Sequence, residues 1–160
     1  MFKNKMKLYI AGPITGGTFE DVEKKWAGTI KRLKKHYTIL SPLFGKAKYT
    51  RPEMKCEASE GQKMKYLSPI TTDRAIVGRD HWMVEQSDIV FVDLTGSKIV
   101  SIGSVCEITA AYLHNKHVVV AMEQGNIHRH AFVLMESDIV FPNKADALDY
   151  IEELGKSFRG

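Results

Sequence analysis

The sequence predicts an α/β fold, and three observations lead to that class. Short apolar runs alternate along the chain with segments whose apolar residues recur at the helical period, which is the order of βαβ units. The run at residues 88–94 is apolar almost throughout, as expected for a central parallel strand buried on both faces. The length of 160 residues and the hydrophobic content of 44% suit one domain with its own core. We therefore predict a single domain over residues 1–160, a flavodoxin- or Rossmann-like three-layer sandwich with a mostly parallel five-stranded sheet.

The first half of the chain begins with a predicted strand at residues 6–11, which ends in the turn-rich loop 12–17. A helix is predicted from about Thr18, a candidate N-cap that has the acidic Asp21 three residues on. A second short strand is predicted at 37–40. The helix would bury apolar side chains spaced at the helical period: Val22, Trp26, Ile30 and Leu33.

Residues 43–70 interrupt this alternation, since they are polar and basic and show no clean period. The segment is poor in glycine and serine, so we interpret it as a polar insertion within the domain and not as a linker. An aperiodic stretch of this length in a small domain is usually functional or mobile. Beyond it, strands are predicted at 88–94, 117–122 and 137–141, and helices at 72–86, 103–115 and 145–154.

The composition argues against several classes of function. The net charge of +4 is mild and no nucleic-acid-binding motif is present, so we expect small anionic substrates and no nucleic acid polymer. No apolar run approaches the roughly 20 residues that span a bilayer, and Gly12-Pro13 ends the first apolar run too early for a signal peptide. Cys56 and Cys106 lack the spacing of a metal site or a disulfide framework. We expect a cytoplasmic protein without membrane partner, metal or cofactor. The lysines of the first helix predict a solvated face: Lys24, Lys25, Lys31, Lys34 and Lys35.

The most informative segment is 101–107, which places one carboxylate, Glu107, in a helix that is otherwise small and apolar. Ionised side chains avoid such places unless something holds them there. The Ser/Gly cluster ahead of it predicts a helix N-terminus, whose unpaired N–H groups and positive dipole end would keep the carboxylate charged. A charged, partly desolvated carboxylate at the mouth of a cleft is a candidate nucleophile. The alternative is that Glu107 only caps the helix, because acids are favoured at helix N-termini.

Several of these features are expected to lie together, because ligands of doubly wound folds bind in a crevice beyond the carboxyl ends of the strands. We therefore expect one crevice to be surrounded by the loop 12–17, Asp93 at the end of the third strand and the loop 95–104, and to be bordered by Glu107. The glycines of the first loop and the bare N–H groups of the next helix suit a phosphate. A simple strand-to-helix turn would show the same pattern.

Three further features carry candidate polar groups, and each has a structural alternative. Asp80, near the middle of a helix, could bind the edge of a base, or it could be exposed to solvent. The phenol of Tyr9 on the first strand could hydrogen-bond a carboxylate such as Glu107, or it could be satisfied elsewhere in the core. Residues 126–130 carry two histidines two positions apart. Because no third ligand is evident, we favour a binding loop or a subunit contact over a metal site.

Taken together, these residues resemble the nucleoside 2-deoxyribosyltransferase family. The matching motifs follow the family's order along nearly the whole chain. Residues 7–13 look like the family's first strand and loop. Asp80 stands eight positions before Asp88, as in the family's aspartate helix that leads into the central strand. The most specific match is to the family's small-residue loop and nucleophilic glutamate: Ser101-x-Gly103-Ser104-x-x-Glu107.

The resemblance implies cleavage of the N-glycosidic bond of a (2′-deoxy)nucleoside. Glu107 would attack the anomeric carbon of the sugar, Tyr9 would orient Glu107, and Asp80 would hold the base and help protonate it as it leaves. The carboxylate would form a glycosyl-enzyme, as in retaining glycosidases. Transfer of the sugar to water gives hydrolysis, and transfer to another base gives exchange. The candidate substrate-binding residues, from the loops and the resemblance together, are Gly12, Thr15, Gly16, Gly17, Asp93, Ser101, Gly103, Ser104, Asn126 and His130.

One position departs from the family pattern. Six residues before the glutamate, nucleoside-specific members often carry an acid that accepts a hydrogen bond from the sugar 5′-hydroxyl, and here that position is Ser101. An acid would repel a phosphate, whereas a serine can donate to one. The 2′-deoxynucleoside 5′-phosphate N-hydrolases are similar in this respect, and their phosphate-binding first loop resembles residues 15–17. The resemblance therefore favours a 5′-monophosphate substrate.

The resemblance also implies a homodimer or a higher homo-oligomer, since family members complete their sites with a neighbouring chain. The apolar Glu107 helix and residues 126–135 could supply that interface. The alternative function is a non-catalytic nucleotide sensor on the same fold. A sensor would have no need of Tyr9, Asp80 and Glu107 together.

Overall fold

The computed structural model describes residues 5–14, 19–43 and 73–158, within which five strands form one sheet. All four strand pairs are parallel, and the spatial order is β2-β1-β3-β4-β5. The strands are β1 (Lys7–Ala11), β2 (Thr38–Leu40), β3 (Ile89–Asp93), β4 (His117–Ala121) and β5 (Ile139–Phe141). The helices are α1 (Phe19–Leu33), α2 (Asp73–Glu85), α3 (Ile102–Leu113), α4 (Ala131–Met135) and α5 (Lys144–Ser157). The predicted fold class is confirmed.

The predicted elements are present where the structure describes the chain, and their ends differ by three residues or fewer. The short helix α4 was not predicted. Its five residues, AFVLM, are all apolar, so no period distinguishes helix from strand. The predicted cap Thr18 and all but the first residue of the insertion 43–70 lie outside the described residues.

The sheet has its topological switch point between β1 and β3, because the chain passes from β1 to β2 on one side and then to β3 on the other. Ala11 pairs with Val92, so Gly12 and Asp93 follow side by side at the carboxyl ends of the two strands. A Cβ at Gly12 would lie only 2.8 Å from the backbone oxygen of Asp93. Only glycine permits this close approach, which draws the two strand ends together where a ligand crevice is expected.

Alternate residues of the strands face two separate cores, one on each side of the sheet. On β1, Leu8 and Ile10 pack with α1 and α5, while Tyr9 and Ala11 pack with α2, α3 and α4. The first core includes Val22, Trp26 and Leu33 of α1 and Ala147, Leu148 and Ile151 of α5. The second includes Met83 and Val84 of α2, Ile108 and Ala111 of α3 and Val133 of α4. The period-2 geometry of the strand thus places the Tyr9 ring in the layer that carries α2 and α3.

Helix α1 buries the stripe predicted for it, with Ile30 half-buried at its edge. The predicted lysine face is exposed. Arg32 of α1 pairs with Asp149 and Glu152 of α5, at 2.5 Å and 2.7 Å. Hydrogen bonds from Arg32 and Lys35 lower the pKa of Glu152 to about 2. In the described part of the chain, no helix has the length and the apolar character needed to cross a bilayer.

Candidate active site

The start of α3 determines where Glu107 lies. Ser101 is the N-cap of this helix, and its hydroxyl accepts from the Ser104 N–H at 3.4 Å and hydrogen-bonds the Ser104 hydroxyl at 2.9 Å. Glu107 follows in the second turn, and the first turn contains no acid. The interpretation of Glu107 as a helix cap is therefore wrong. Because the dipole effect falls off within the first turn, a neighbouring side chain must hold the carboxylate.

That neighbour is Tyr9, whose hydroxyl donates to Oε1 of Glu107 at 2.6 Å. The hydrogen bond expected from the sequence is thus present. Tyr9 is fully buried on β1, whereas Glu107 is half-buried. Burial raises the pKa of Tyr9 far above its ordinary value, and the negative charges of Glu107 and Asp80 raise it further. The phenol therefore stays neutral, so it remains a donor to the carboxylate at every working pH.

Helix α2 contributes a second carboxylate and a cation to the same place. Asp80 is half-buried, so the alternative of a solvent-exposed aspartate is wrong. The Nη2 atom of Arg79 lies 3.4 Å from Oδ1 of Asp80. The charge of Asp80 raises the pKa of Tyr9 and that of Arg79 lowers it, so both charges act on the phenol. The structure thus brings Tyr9, Asp80 and Glu107 together, and it adds Arg79, which the sequence analysis missed.

Asp93, at the end of β3, is buried within a group of polar partners. Its carboxylate accepts from the Thr95 hydroxyl at 2.5 Å and pairs with Lys144 at 3.0 Å. Lys25 of α1 lies 4.0 Å away. A buried carboxylate needs such partners to remain charged. These contacts join β3 to the start of α5, at the strand end that lies beside Gly12.

The remaining predicted residues lie in the loops around the strand ends. Gly103 is exposed, and a Cβ there would meet open space, whereas Ser104 is buried. Asn126 donates to the backbone oxygen of Leu94, which anchors its loop to the end of β3. His130 is exposed and is the N-cap of α4. Three predicted positions lie outside the described residues: Thr15, Gly16 and Gly17.

One carboxylate is hydrogen-bonded to the buried phenol, and the charge of a second acts on it. Tyr9 donates to Oε1 of Glu107, which is half-buried. A phenol that donates to a carboxylate orients it, and a second acid beside them can exchange a proton with a bound group. Among residues 5–14, 19–43 and 73–158, no group of His, Cys, Asp and Glu side chains is placed to hold a metal ion. The protein is thus a doubly wound α/β protein in which a buried tyrosine of β1 holds the Glu107 carboxylate of α3.

Several solved structures share this fold at low sequence identity. A 2-deoxyribosyltransferase from the psychrotolerant bacterium Bacillus psychrosaccharolyticus is 18% identical with a TM-score of 0.62, over 90% of this chain and 91% of its own. A conserved protein from Enterococcus faecalis is 16% identical with a TM-score of 0.62, over 94% and 99%. A CMP N-glycosidase of Clostridium botulinum is 13% identical with a TM-score of 0.52, over 94% and 98%. No protein-family model and no curated protein matches the sequence.

At these identities the likeness is one of fold, and it extends over nearly the full length of each chain. The resemblance to nucleoside 2-deoxyribosyltransferases that the sequence indicates is confirmed at this level. One neighbour with a transferase name and one with a glycosidase name share the same arrangement of strands and helices.

Proposed function

We propose that the protein cleaves the N-glycosidic bond of a (2′-deoxy)nucleoside, preferentially as its 5′-monophosphate, through a covalent glycosyl-Glu107 intermediate. The observation that carries the proposal is the 2.6 Å hydrogen bond from the buried Tyr9 hydroxyl to Glu107. It gives a lone carboxylate in an apolar helix a fixed orientation, and the charge of Asp80 acts on the same phenol. The names of two fold neighbours, a 2-deoxyribosyltransferase and a CMP N-glycosidase, agree with this chemistry.

The proposed reaction has two displacements at the anomeric carbon. Tyr9 donates to Oε1 of Glu107 and so orients the carboxylate, one oxygen of which attacks C1′. As the new C–O bond forms, the C1′–N bond breaks and its electron pair goes to the base, whose ring nitrogen gains a proton with the help of Asp80. Water or a second base then attacks C1′ and loses a proton, and the Glu107 carboxylate is released. Retention of configuration follows from the two inversions.

The first prediction tests Glu107 itself. The Glu107→Gln variant should lose turnover by at least about a thousandfold, because an amide is a far weaker nucleophile, while the Tyr9 hydroxyl keeps an acceptor. The assay incubates deoxynucleosides and their 5′-monophosphates with and without a second free base, and follows the released base by chromatography. Rapid acid quenching and peptide mass analysis should locate a sugar adduct on Glu107. Wild-type rates in the variant would exclude the assignment.

The same assay decides between an enzyme and a nucleotide sensor. A sensor would bind a nucleotide, as seen by thermal shift, without releasing base, and Glu107→Gln would leave its affinity unchanged. The Tyr9–Glu107 hydrogen bond favours the enzyme, since ligand binding alone does not require an oriented carboxylate.

The second prediction tests the phosphate preference. Aspartate and asparagine both cap helices as well as serine does, so Ser101→Asp and Ser101→Asn should fold alike and differ in one negative charge. With Ser101→Asp, kcat/KM for the monophosphate should fall at least about tenfold relative to Ser101→Asn, by charge repulsion, while kcat/KM for the free nucleoside should not fall. The measurement is the ratio of the two kcat/KM values in each variant. Equal ratios in the two variants would remove Ser101 from phosphate recognition.

A further inference from the structure

His128 is a buried titratable group distinct from Glu107 and Asp80. Its side chain is only 2% exposed, and both ring nitrogens have partners. Nε2 lies 2.8 Å from the backbone nitrogen of Ser101, the N-cap of the Glu107 helix. Nδ1 lies 2.9 Å from Oδ1 of Asn126.

These two partners determine the protonation state of the ring. The backbone N–H of Ser101 can only donate, so Nε2 must accept and carry no proton. Oδ1 of Asn126 also accepts the backbone N–H of His128, and the amide nitrogen of Asn126 donates to Leu94 and Glu123, so the oxygen assignment is consistent. Nδ1 must therefore be the protonated nitrogen. The geometry requires the neutral Nδ1–H form of His128.

Through these bonds, the residues around His128 connect three parts of the site. Asn126 holds the end of β3 through the Leu94 carbonyl, and Glu123 accepts the Gly96 N–H at 2.7 Å. His128 then holds the far end of the 95–101 loop at Ser101. The loop between β3 and α3 is thus bonded at both ends to the segment after β4.

We infer that neutral His128 is a positioning residue that holds the N-terminus of α3, and with it Glu107, against Tyr9. Glu107 lies six residues beyond Ser101, about 9 Å along the same rigid helix, so a shift of the cap moves the carboxylate. The effect on turnover rests on the proposed function, whereas the effect on the helix does not. His128 would not touch the substrate, and its role is to fix the distance between Glu107 and the phenol.

Protonation would break this connection, because Nε2 would become a donor facing the N–H donor of Ser101. Burial lowers the pKa of His128 below its ordinary value of 6.5, so the ring is neutral at pH 7 and the bond is lost only as the pH falls below that lowered value. The charged group nearest in the network is Glu123, which reaches His128 only through Asn126, with Lys98 acting on Glu123. Arg129 follows His128 in the chain and is exposed.

The hydrogen bond between His128 and the Ser101 N–H can be tested in the free protein, without substrate. Long-range ¹H–¹⁵N NMR of the imidazole at pH 7.5 should show the Nδ1–H tautomer. The Ser101 amide resonance should shift with the same midpoint as the His128 ring, below pH 6.5. An Nε2–H tautomer, or a Ser101 amide that does not follow the ring, would overturn the inference.

The test of the catalytic effect compares two variants of His128. Glutamine can accept from Ser101 and donate to Asn126 but does not titrate, so His128→Gln should keep kcat within about threefold at pH 7.5. The loss of kcat between pH 7 and pH 5.5 should be smaller in this variant than in the wild type. His128→Leu, which leaves the Ser101 N–H without its acceptor, should lower kcat about tenfold with KM nearly unchanged.

The outcomes separate the two proposals. If the wild type releases no base from any substrate, the proposed function fails, and the NMR result still decides whether His128 holds the helix. If turnover occurs and kcat of His128→Leu equals that of the wild type, the positioning role is wrong although the function stands. Amide hydrogen exchange in the first turn of α3 should be faster in His128→Leu than in His128→Gln. Equal exchange rates would contradict the inference that His128 holds the N-terminus of α3.

Discussion

At the scale of single residues, the site depends on one buried hydroxyl. Tyr9 has no exposure to water, so its hydrogen bond to Glu107 is made in surroundings of low dielectric. The raised pKa of Tyr9 keeps the proton on the phenol. A phenol that cannot ionise is a permanent donor, which suits the orientation of a carboxylate and excludes a role as general base.

The third prediction removes this hydroxyl. Tyr9→Phe should lower kcat roughly 10- to 100-fold, because a hydrogen bond to a charged group contributes about 1.5–3 kcal/mol. The control is Tyr37→Phe, which removes another buried hydroxyl, the donor to the Ile151 carbonyl at 2.6 Å. That control should lose about 1 kcal/mol of unfolding free energy and retain kcat. Steady-state kinetics and urea unfolding measure the two effects, and equal kcat in both variants would remove the orienting role from Tyr9.

Glu107, Tyr9 and Asp80 could be proposed as site residues from the sequence because each stands in a distinctive context. Glu107 is an acid in an apolar helix, and Tyr9 and Asp80 fit the spacing of a known family. The neighbouring groups could not be found in this way. Lys144 and His128 contact Asp93 and Ser101, which are distant in the chain, so their roles depend on tertiary contacts that no local pattern records. Arg79 pairs with the adjacent Asp80, but its charge acts on the distant Tyr9.

At the scale of elements, helix α5 packs closely against the turn before β2 because Gly155 has no side chain. A Cβ at Gly155 would lie 2.7 Å from the Tyr37 ring and 2.9 Å from the Cβ of His36. The Tyr37 ring is buried and its hydroxyl is bonded to Ile151 of α5, so it cannot move aside. The glycine late in this helix is therefore a packing requirement.

The fourth prediction follows from this contact. Gly155→Ala should reduce the free energy of unfolding by about 1–3 kcal/mol, through overpacking, although alanine is the better helix former. The control is Gly28→Ala in α1, where nothing lies within 4 Å of the new Cβ. That change should increase stability by about 0.5–1 kcal/mol. Urea unfolding measures the change in the free energy of unfolding of each variant. An increase in that free energy in both variants would refute the close packing of α5 on Tyr37.

Elements were predictable where their pattern was long or unambiguous. The continuous apolar run of β3 and the period of α1 led to the correct structures. The sequence of the loop after β4 favours a binding loop or a subunit contact. In the structure the buried His128 and the half-buried Asn126 bind the protein itself, while His130 is exposed at the start of α4. Which face of such a loop is buried depends on the fold around it.

At the scale of the whole molecule, we propose that the chain forms a homodimer or a higher homo-oligomer. Large apolar side chains are exposed on α3 and α4, where Tyr112, Phe132 and Met135 line one cleft. Phe132 is 64% and Met135 77% exposed. Neighbouring exposed apolar side chains of this size mark interaction surfaces more often than isolated ones do.

The fifth prediction concerns this surface. Sedimentation velocity should give at least twice the chain mass of 18.1 kDa, and the double variant Phe132→Asp, Met135→Asp should shift the protein toward the monomer. Phe158→Asp is the matched control, because Phe158 is 63% exposed but follows α5 on the other side of the sheet. A wild type that sediments as a monomer at micromolar concentration would exclude the proposal.

The alternation along β1 makes the chemistry of this protein depend on strand alignment. Four consecutive residues of β1 are buried and apolar or aromatic, so burial alone would tolerate a shift by one position. Such a shift would turn Tyr9 toward α1 and α5 and bring an aliphatic side chain to Glu107. The alignment is instead set at the two ends of the strand, where the Lys7 N–H donates to Asp88 at 2.7 Å and Gly12 fits against Asp93. A single-residue insertion or deletion in β1 would therefore separate the Tyr9 hydroxyl from Glu107 or break one of these two end contacts.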